Sequence, residues 1–133
     1  MRFPILAIGV LSIIISSCKR SADNGSIIGS WRVASLLKDG TSTVQNTSDT
    51  LLVSFFNDKS VRVQLEINNC EGTFTTGQDG FDISNLGCTE ACCDSEFSSD
   101  LLYTLKRVDD YTIAGEELNL TGDSDRVIRC TLH

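Results

Sequence analysis

Alternation of apolar and polar positions is sharpest from Val61 to Ile67. Val61, Val63, Leu65 and Ile67 fall on one side, and Arg62, Gln64 and Glu66 on the other. A period of two predicts a half-buried strand. Ile28 to Leu37 repeats the pattern, with Trp31, Val33 and Leu37 on one face and Arg32 on the other. Leu51 to Phe56 is a continuous short apolar run, which predicts a central strand. Asp39-Gly40 and Asn57-Asp58-Lys59-Ser60 are turns. Thr41 to Thr50, rich in Ser, Thr and Asn, is a loop with room for a poor edge strand around Val44.

Beyond Ile67 the pattern changes. Asn68-Asn69-Cys70-Glu71-Gly72 interrupts the alternation with turn-tolerant residues, which predicts a turn. Thr73–Thr76 and Phe81–Ile83 flank Gly77-Gln78-Asp79-Gly80, the pattern of a hairpin. After Cys88, Cys92 and Cys93, Asp94 or Ser95 caps a helix with Glu96 in its first turn. Phe97, Leu101, Leu105 and Val108 then lie on one helical face, and Lys106-Arg107 suits the negative end of the dipole. Tyr111–Ala114 and Leu118–Thr121 pair across Gly115-Glu116-Glu117. Gly122 to Asp125 turns the chain, and Arg126–Leu132 closes it with Ile128, Cys130 and Leu132 inward. Seven or eight short strands and one helix predict a mainly β (α+β) domain. Its expected form is a curled antiparallel sheet or partly open small β-barrel with the helix packed over it.

The first residues belong to another kind of segment. Arg2 is followed by the apolar run Phe3–Ile15 and by the small residues Ser16-Ser17. Met1–Ser17 therefore has the three parts of an export signal, and its apolar run is short for a membrane-spanning helix. Ile15-Ser16-Ser17-Cys18 resembles the bacterial lipobox, which implies cleavage before Cys18 and a diacylglycerol on its thiol. The chain then divides into a lipoprotein signal peptide (1–17), a lipidated N-terminus and flexible tether (18–27), and a β-rich domain (28–133). The expected location is the cell envelope, with the protein lipid-anchored to a membrane through Cys18.

Composition narrows the function. The 133 residues make one domain, and 22% charged with 41% hydrophobic residues is an ordinary globular balance that excludes global disorder. The formal net charge is -7, and loss of Arg2 with the signal makes the remainder about one unit more negative. Basic residues cluster only as Lys19-Arg20 and Lys106-Arg107, so nucleic acid is not an expected partner.

Several stretches together resemble the META/HslJ family of small envelope proteins. Trp31 matches its opening strand. Asn68-Asn69-Cys70-Glu71-Gly72-Thr73-Phe74 resembles its Gly-Cys-Asn…Gly-x-Tyr turn and strand, and Thr89-Glu90-Ala91-Cys92 its Thr…Ala-Cys segment. Phe97…Leu101-Leu102…Leu105 resembles the family's helix, and Tyr111-Thr112-Ile113-Ala114-Gly115…Leu118-Asn119-Leu120 its closing hairpin. Asn69 stands where the family has glycine and Glu71 where it has asparagine, the second cysteine is doubled, and Cys88 and Cys130 are additional. The resemblance implies a compact β-rich envelope domain loosely linked to stress and antibiotic tolerance, without established enzymatic chemistry. Gly29-Ser30-Trp31 separately resembles the Gly-x-Trp of lipocalin-like carriers of apolar ligands. That alternative requires a cavity behind Trp31 lined by Val53, Phe55, Val63 and Leu65.

Of six cysteines, acylation of Cys18 leaves Cys70, Cys88, Cys92, Cys93 and Cys130 as disulfide candidates in an exported domain. The family pattern implies a Cys70–Cys92 bond, with Cys130 bonded to Cys88 or Cys93 and one thiol free. Adjacent Cys92 and Cys93 are disfavoured as partners because the ring is strained. The same cysteines could instead gather as thiolates around zinc or copper(I), but no Cys-x-x-Cys is present and export favours oxidation. His133, the single histidine, is terminal and poorly suited to act as a fixed base. Asp109-Asp110 and Glu116-Glu117 read as solvated acids, and Asp123-Ser124-Asp125 is too short for a calcium loop. The sequence thus predicts no catalytic residue, metal or cofactor. It points to a monomeric, non-enzymatic binding or interaction module whose partner is an envelope protein or small ligand, with a lipocalin-like carrier or a thiol/metal protein as alternatives.

Overall fold

The computed structural model describes residues 25–44, 50–78, 80–123 and 125–133. The expected signal peptide (1–17), Cys18, most of the expected tether (18–27) and residues 45–49, 79 and 124 lie outside them. Among the described residues nine strands and one helix succeed one another: β1 (Gly29–Lys38), β2 (Thr41–Val44), β3 (Leu52–Phe55), β4 (Ser60–Gln64), β5 (Asn69–Gly77), β6 (Gly80–Cys88), α1 (Glu96–Leu105), β7 (Val108–Ala114), β8 (Glu117–Gly122) and β9 (Val127–Leu132). Every neighbouring pair is antiparallel. The strand order is β6-β5-β4-β3-β1-β9-β8-β7, with β2 appended to β1.

The two ends of this path come round to face each other. Phe81 of β6 packs edge-on against Tyr111 of β7 with ring centroids 5.1 Å apart. A Cβ on Gly80 would stand 3.1 Å from the Asp109 carbonyl. The sheet is thus a nearly closed barrel whose last seam is joined by side chains. Inside, Phe55 meets Phe74 at 5.0 Å and Phe81 at 5.9 Å. Trp31, Val53, Val63, Leu118, Leu120 and Ile128 fill the remainder.

The helix closes one pole. Ser95, extended at φ -66° and ψ 164°, is its N-cap and accepts from the Ser98 amide at 3.2 Å. Leu101 and Leu105 point into the barrel and are fully buried, Phe97 is half-buried, and Lys38 of β1 holds Asp100 at 2.8 Å. Val108 does not continue this face as the sequence predicted. The helix ends at Leu105, the Arg107 amide bonds back to the Thr104 carbonyl, and Val108 is buried as the first residue of β7. The Arg107 guanidinium lies 3.5 Å over the exposed Tyr103 ring and donates to the Tyr103 carbonyl, so it completes the helix end. Arg126 reaches the same ring at 4.6 Å. The first end of β1 lies roughly 30 Å away, the length of a ten-residue strand. There Ile27 is buried and its carbonyl accepts the Trp31 indole N–H at 2.8 Å.

Two departures from the expected strands have local causes. The register of β1 against β9 shifts between Val33 and Ser35. That bulge reverses the alternation, so Leu36 is buried where Leu37 was expected. The predicted turn at Asn68–Gly72 is mostly strand: β4 stops at Gln64, the chain turns through Leu65–Asn68, and β5 begins at Asn69. Gly72 serves close packing inside this strand, because a Cβ there would lie 2.8 Å from the Ser84 carbonyl. Ile67, expected inward, is exposed on the turn.

Candidate functional site

A network of polar side chains around Asn68 lies at the helix-covered pole. The turn Leu65–Asn68 meets the connector from β6 to α1 there, and Asn68 is their junction. Its side-chain amide donates to the Ala91 carbonyl at 2.6 Å and to Asp94 Oδ2. Its Oδ1 accepts from the Thr89 hydroxyl at 2.8 Å and the Ala91 amide at 2.9 Å. Two donors and two acceptors are all that an asparagine side chain offers, and all are used. The residue is 7% exposed, so a lost partner here is not replaced freely by water.

Two carboxylates brace the junction. Asp94 Oδ1 accepts the Ile67 amide at 2.8 Å and the Asn68 amide at 3.3 Å. Glu66 accepts from the hydroxyls of Ser95 and of the fully buried Ser98. Burial acts to raise the pKa of both acids. For Glu66 the two serine hydroxyls outweigh it, and for Asp94 the Asn68 side chain and the two turn amides do. Both are therefore held below their ordinary values, 4.5 for Glu66 and 3.8 for Asp94. A carboxylate with a depressed folded-state pKa contributes stability that is complete above its unfolded value and lost as the pH falls through its folded value. Thermal or urea unfolding should accordingly show Tm flat near neutrality and declining below about pH 4.5. The double variant Glu66→Gln, Asp94→Asn should show a shallower decline. An identical acid slope in that variant would mean the loss arises elsewhere.

The cysteines separate into three places. Cys70 and Cys88 are direct cross-strand partners on β5 and β6, with Cα atoms 4.0 Å apart, and are bonded to each other. This replaces the Cys70–Cys92 pairing implied by the family pattern, because Cys92 lies beyond the end of β6 on the connector held by Asn68. Cys92 and Cys93 stand side by side and exposed on that connector, and neither pairs with Cys70, Cys88 or Cys130. The Cys93 backbone has a positive φ of 148°. Cys130 forms no disulfide, neither to Cys88 nor to Cys93. It sits on β9 between Val33 of β1 and Leu118 of β8, wholly buried, and burial pushes its thiol up to about 12. Among the described residues no three Cys, His, Asp or Glu side chains are grouped to hold a metal ion.

The other candidates are dispersed. His133 is tied by its backbone amide to the Ser30 carbonyl at 3.0 Å, and its ring lies 3.3 Å from an Arg32 guanidinium nitrogen. Asp109, Asp110, Glu116 and Glu117 are exposed. Val53, Phe55, Val63 and Leu65, the proposed lining of a carrier cavity, are packed in the core with Trp31. Sequence reasoning read Asn68 as a turn residue and did not find its junction role. The spacing of Asn68 to Thr89 and Asp94 carries no local signal, since only the β5–β6 hairpin brings them together.

Comparison with known proteins agrees with this architecture. The family model described as META domain matches residues 26–132. No curated protein matches the chain. An NMR structure of a protein from Burkholderia xenovorans superposes with a TM-score of 0.67 at 12% identity, covering 100% of this chain and 98% of that one. The crystal structure of a DUF4847 family protein from Bacteroides vulgatus superposes at 0.59 with 12% identity, covering 79% of this chain and 92% of that one. At these identities the likeness is one of fold.

Proposed function

Because the chain belongs to the META domain family, we propose that it is a non-enzymatic envelope lipoprotein, a binding or interaction module held at a membrane by the lipid on Cys18. The observation that carries this reading is Ile15-Ser16-Ser17-Cys18 behind the apolar run Phe3–Ile15, placed directly ahead of the tether and the matched domain. The disulfide between Cys70 and Cys88 suits an oxidising compartment outside the cytosol. The buried amide of Asn68 spends its hydrogen bonds on backbone and neighbouring side chains, as a structural group does. The partner is an envelope protein or a small ligand met in a role linked to envelope stress, and the module works as a monomer without a cofactor or nucleic acid. Stable anchoring takes more than one acyl chain, at roughly 0.8 kcal/mol per buried methylene.

The test is the intact mass of protein purified from membranes, together with fractionation of a Cys18→Ser variant. The expected result is a chain beginning at Cys18 with a lipid-sized addition, and release of the variant from the membrane fraction or retention of its uncleaved signal. An unlipidated chain starting elsewhere would remove the anchor.

A further inference from the structure

We propose that the outer face of β4, β5 and β6 carries a groove for a neutral, hydroxyl-rich ligand of the saccharide class, kept open by Gly87. This rests on reading the chain as a binding module and names the chemistry of its small ligand. It does not depend on the lipid at Cys18. Three observations carry it.

The first is shape. Two hollows lie side by side on the outside of the barrel and share Glu71. One, of about 280 Å³, is lined by Phe56, Arg62 and Glu71, and the other, of about 380 Å³, by Asn69, Glu71 and Gly87. Arg62 pairs with Glu71 across β4 and β5, and Glu71 with Gly87 across β5 and β6, so the three stand in one line across the strands. At a strand spacing of about 4.8 Å that line is roughly 10 Å long. An elongated ligand laid across the strands fills both hollows, whose joint size is that of a small-molecule site.

The second is Gly87 itself. Glycine inside a strand weakens it, and close packing, a bulge or an approaching ligand is the usual reason for one. Close packing is not the reason here. A Cβ on Gly87 would meet no atom within 4 Å, whereas one on Gly72 would strike the Ser84 carbonyl. Nor does the backbone demand glycine. Gly87 is not among the residues of positive φ, and Asn85, beside the register shift of this hairpin, supplies φ 55°. What the missing side chain provides is open space beside Glu71.

The third is chemistry. Arg62 Nε and Nη2 both donate to Glu71 Oε1, at 3.1 and 3.0 Å. Among the described residues Arg62 Nη1, Glu71 Oε2 and the side-chain amide of the exposed Asn69 have no hydrogen-bond partner. The Arg62 guanidinium lies 5.7 Å from the centroid of Phe56, a ring that is 39% exposed. A free donor, a free acceptor and an amide beside an apolar ring suit a sugar, whose hydroxyls both donate and accept and whose C–H face is apolar. Charge excludes an anion, because Arg62 is already paired with Glu71 and Asp58 adds a further carboxylate to the first hollow. Asp58 is itself occupied by the amide and hydroxyl of Ser60, which leaves a cation little to gain from it.

The test is an NMR titration of the isotope-labelled full chain with short neutral oligosaccharides: cello-, malto-, xylo- and N-acetylchito-oligomers. At least one should shift the amides of Arg62, Glu71 and Gly87 saturably, with an affinity unchanged by added salt. Gly87→Leu should weaken that affinity roughly tenfold or more by filling the groove, while its unfolding midpoint stays at or above that of the parent. Glu71→Ala should weaken it as well, and Thr112→Ala, exposed on β7, should leave it unchanged. No saturable shift with any of the four oligomers would overturn the proposal, as would shifts confined to other strands or equal affinity in Gly87→Leu and the parent. Binding of oligolysine at Arg62 and Glu71 that fades with salt, in place of sugar binding, would make the groove a cation site and overturn it too. The mass of the membrane-purified chain is a separate measurement, so failure of the anchor and failure of the groove are told apart.

Discussion

Replacing Asn68 by alanine should lower the stability of the domain by about 3 kcal/mol, a large effect for a single polar residue. The substitution removes four hydrogen bonds at once. It deprives Asp94 Oδ2 of its donor and takes from the Ala91 carbonyl and amide their partner in Asn68. A buried group that loses its partner loses about 1–3 kcal/mol, and several such groups share the site, partly relieved by entering water. Asn68→Asp should be no better, since it exchanges the two donors for a second negative charge facing Asp94. Asn69→Ala, one residue along and exposed, is the internal control and should stay within about 0.5 kcal/mol of the parent. Urea titration decides the matter. The midpoint for Asn68→Ala should fall at constant slope, and equal midpoints for the two alanine variants would remove Asn68 from its place as the junction.

This contrast between neighbouring asparagines also shows where the sequence is legible. Both look alike in a run of turn residues, and nothing local distinguishes the buried one. The alternation Val61, Val63, Leu65 was readable because inward residues on a strand must recur every second position, and all three are buried. The helix was readable for the same kind of reason: Leu101 and Leu105 share a face, and Ser95 is a favoured cap. Readability fails where a long-range contact overrides the local period. The bulge after Val33 is set by pairing with β9, almost a hundred residues later. The strand character of Asn69–Gly72 is set by pairing with β4 and β6. Cys70 finds Cys88 because the hairpin register places them opposite, and spacing among five cysteines cannot show a register. At the candidate site the cysteines were visible as types, while their partners and the Asn68–Asp94 network were products of the fold.

Phe81→Ala should cost more than any substitution at the polar pole, about 3–5 kcal/mol, and should act first on the seam of the barrel. Phe81 is 4% exposed and touches three other rings: Phe55 at 5.9 Å, Phe74 at 6.3 Å and Tyr111 at 5.1 Å between centroids. It is the aromatic residue of β6, one end of the hydrogen-bonded path, and Tyr111 belongs to β7 at the other end. Elsewhere in the barrel, backbone ladders would hold adjacent strands together around a small cavity. Along this seam the side chains do that, so truncating Phe81 removes both core volume and the contact that brings the edges together. The expected signature has two parts. The global unfolding midpoint falls, and amides of β6 and β7 exchange faster than those of β8 and β9 under conditions where the variant remains folded. Val63→Ala, equally buried but on a strand paired on both sides, should lose stability with no such local opening. If both variants instead expose all strands together, the seam is as firmly closed as the rest of the sheet and the ring contacts contribute no more than their buried area.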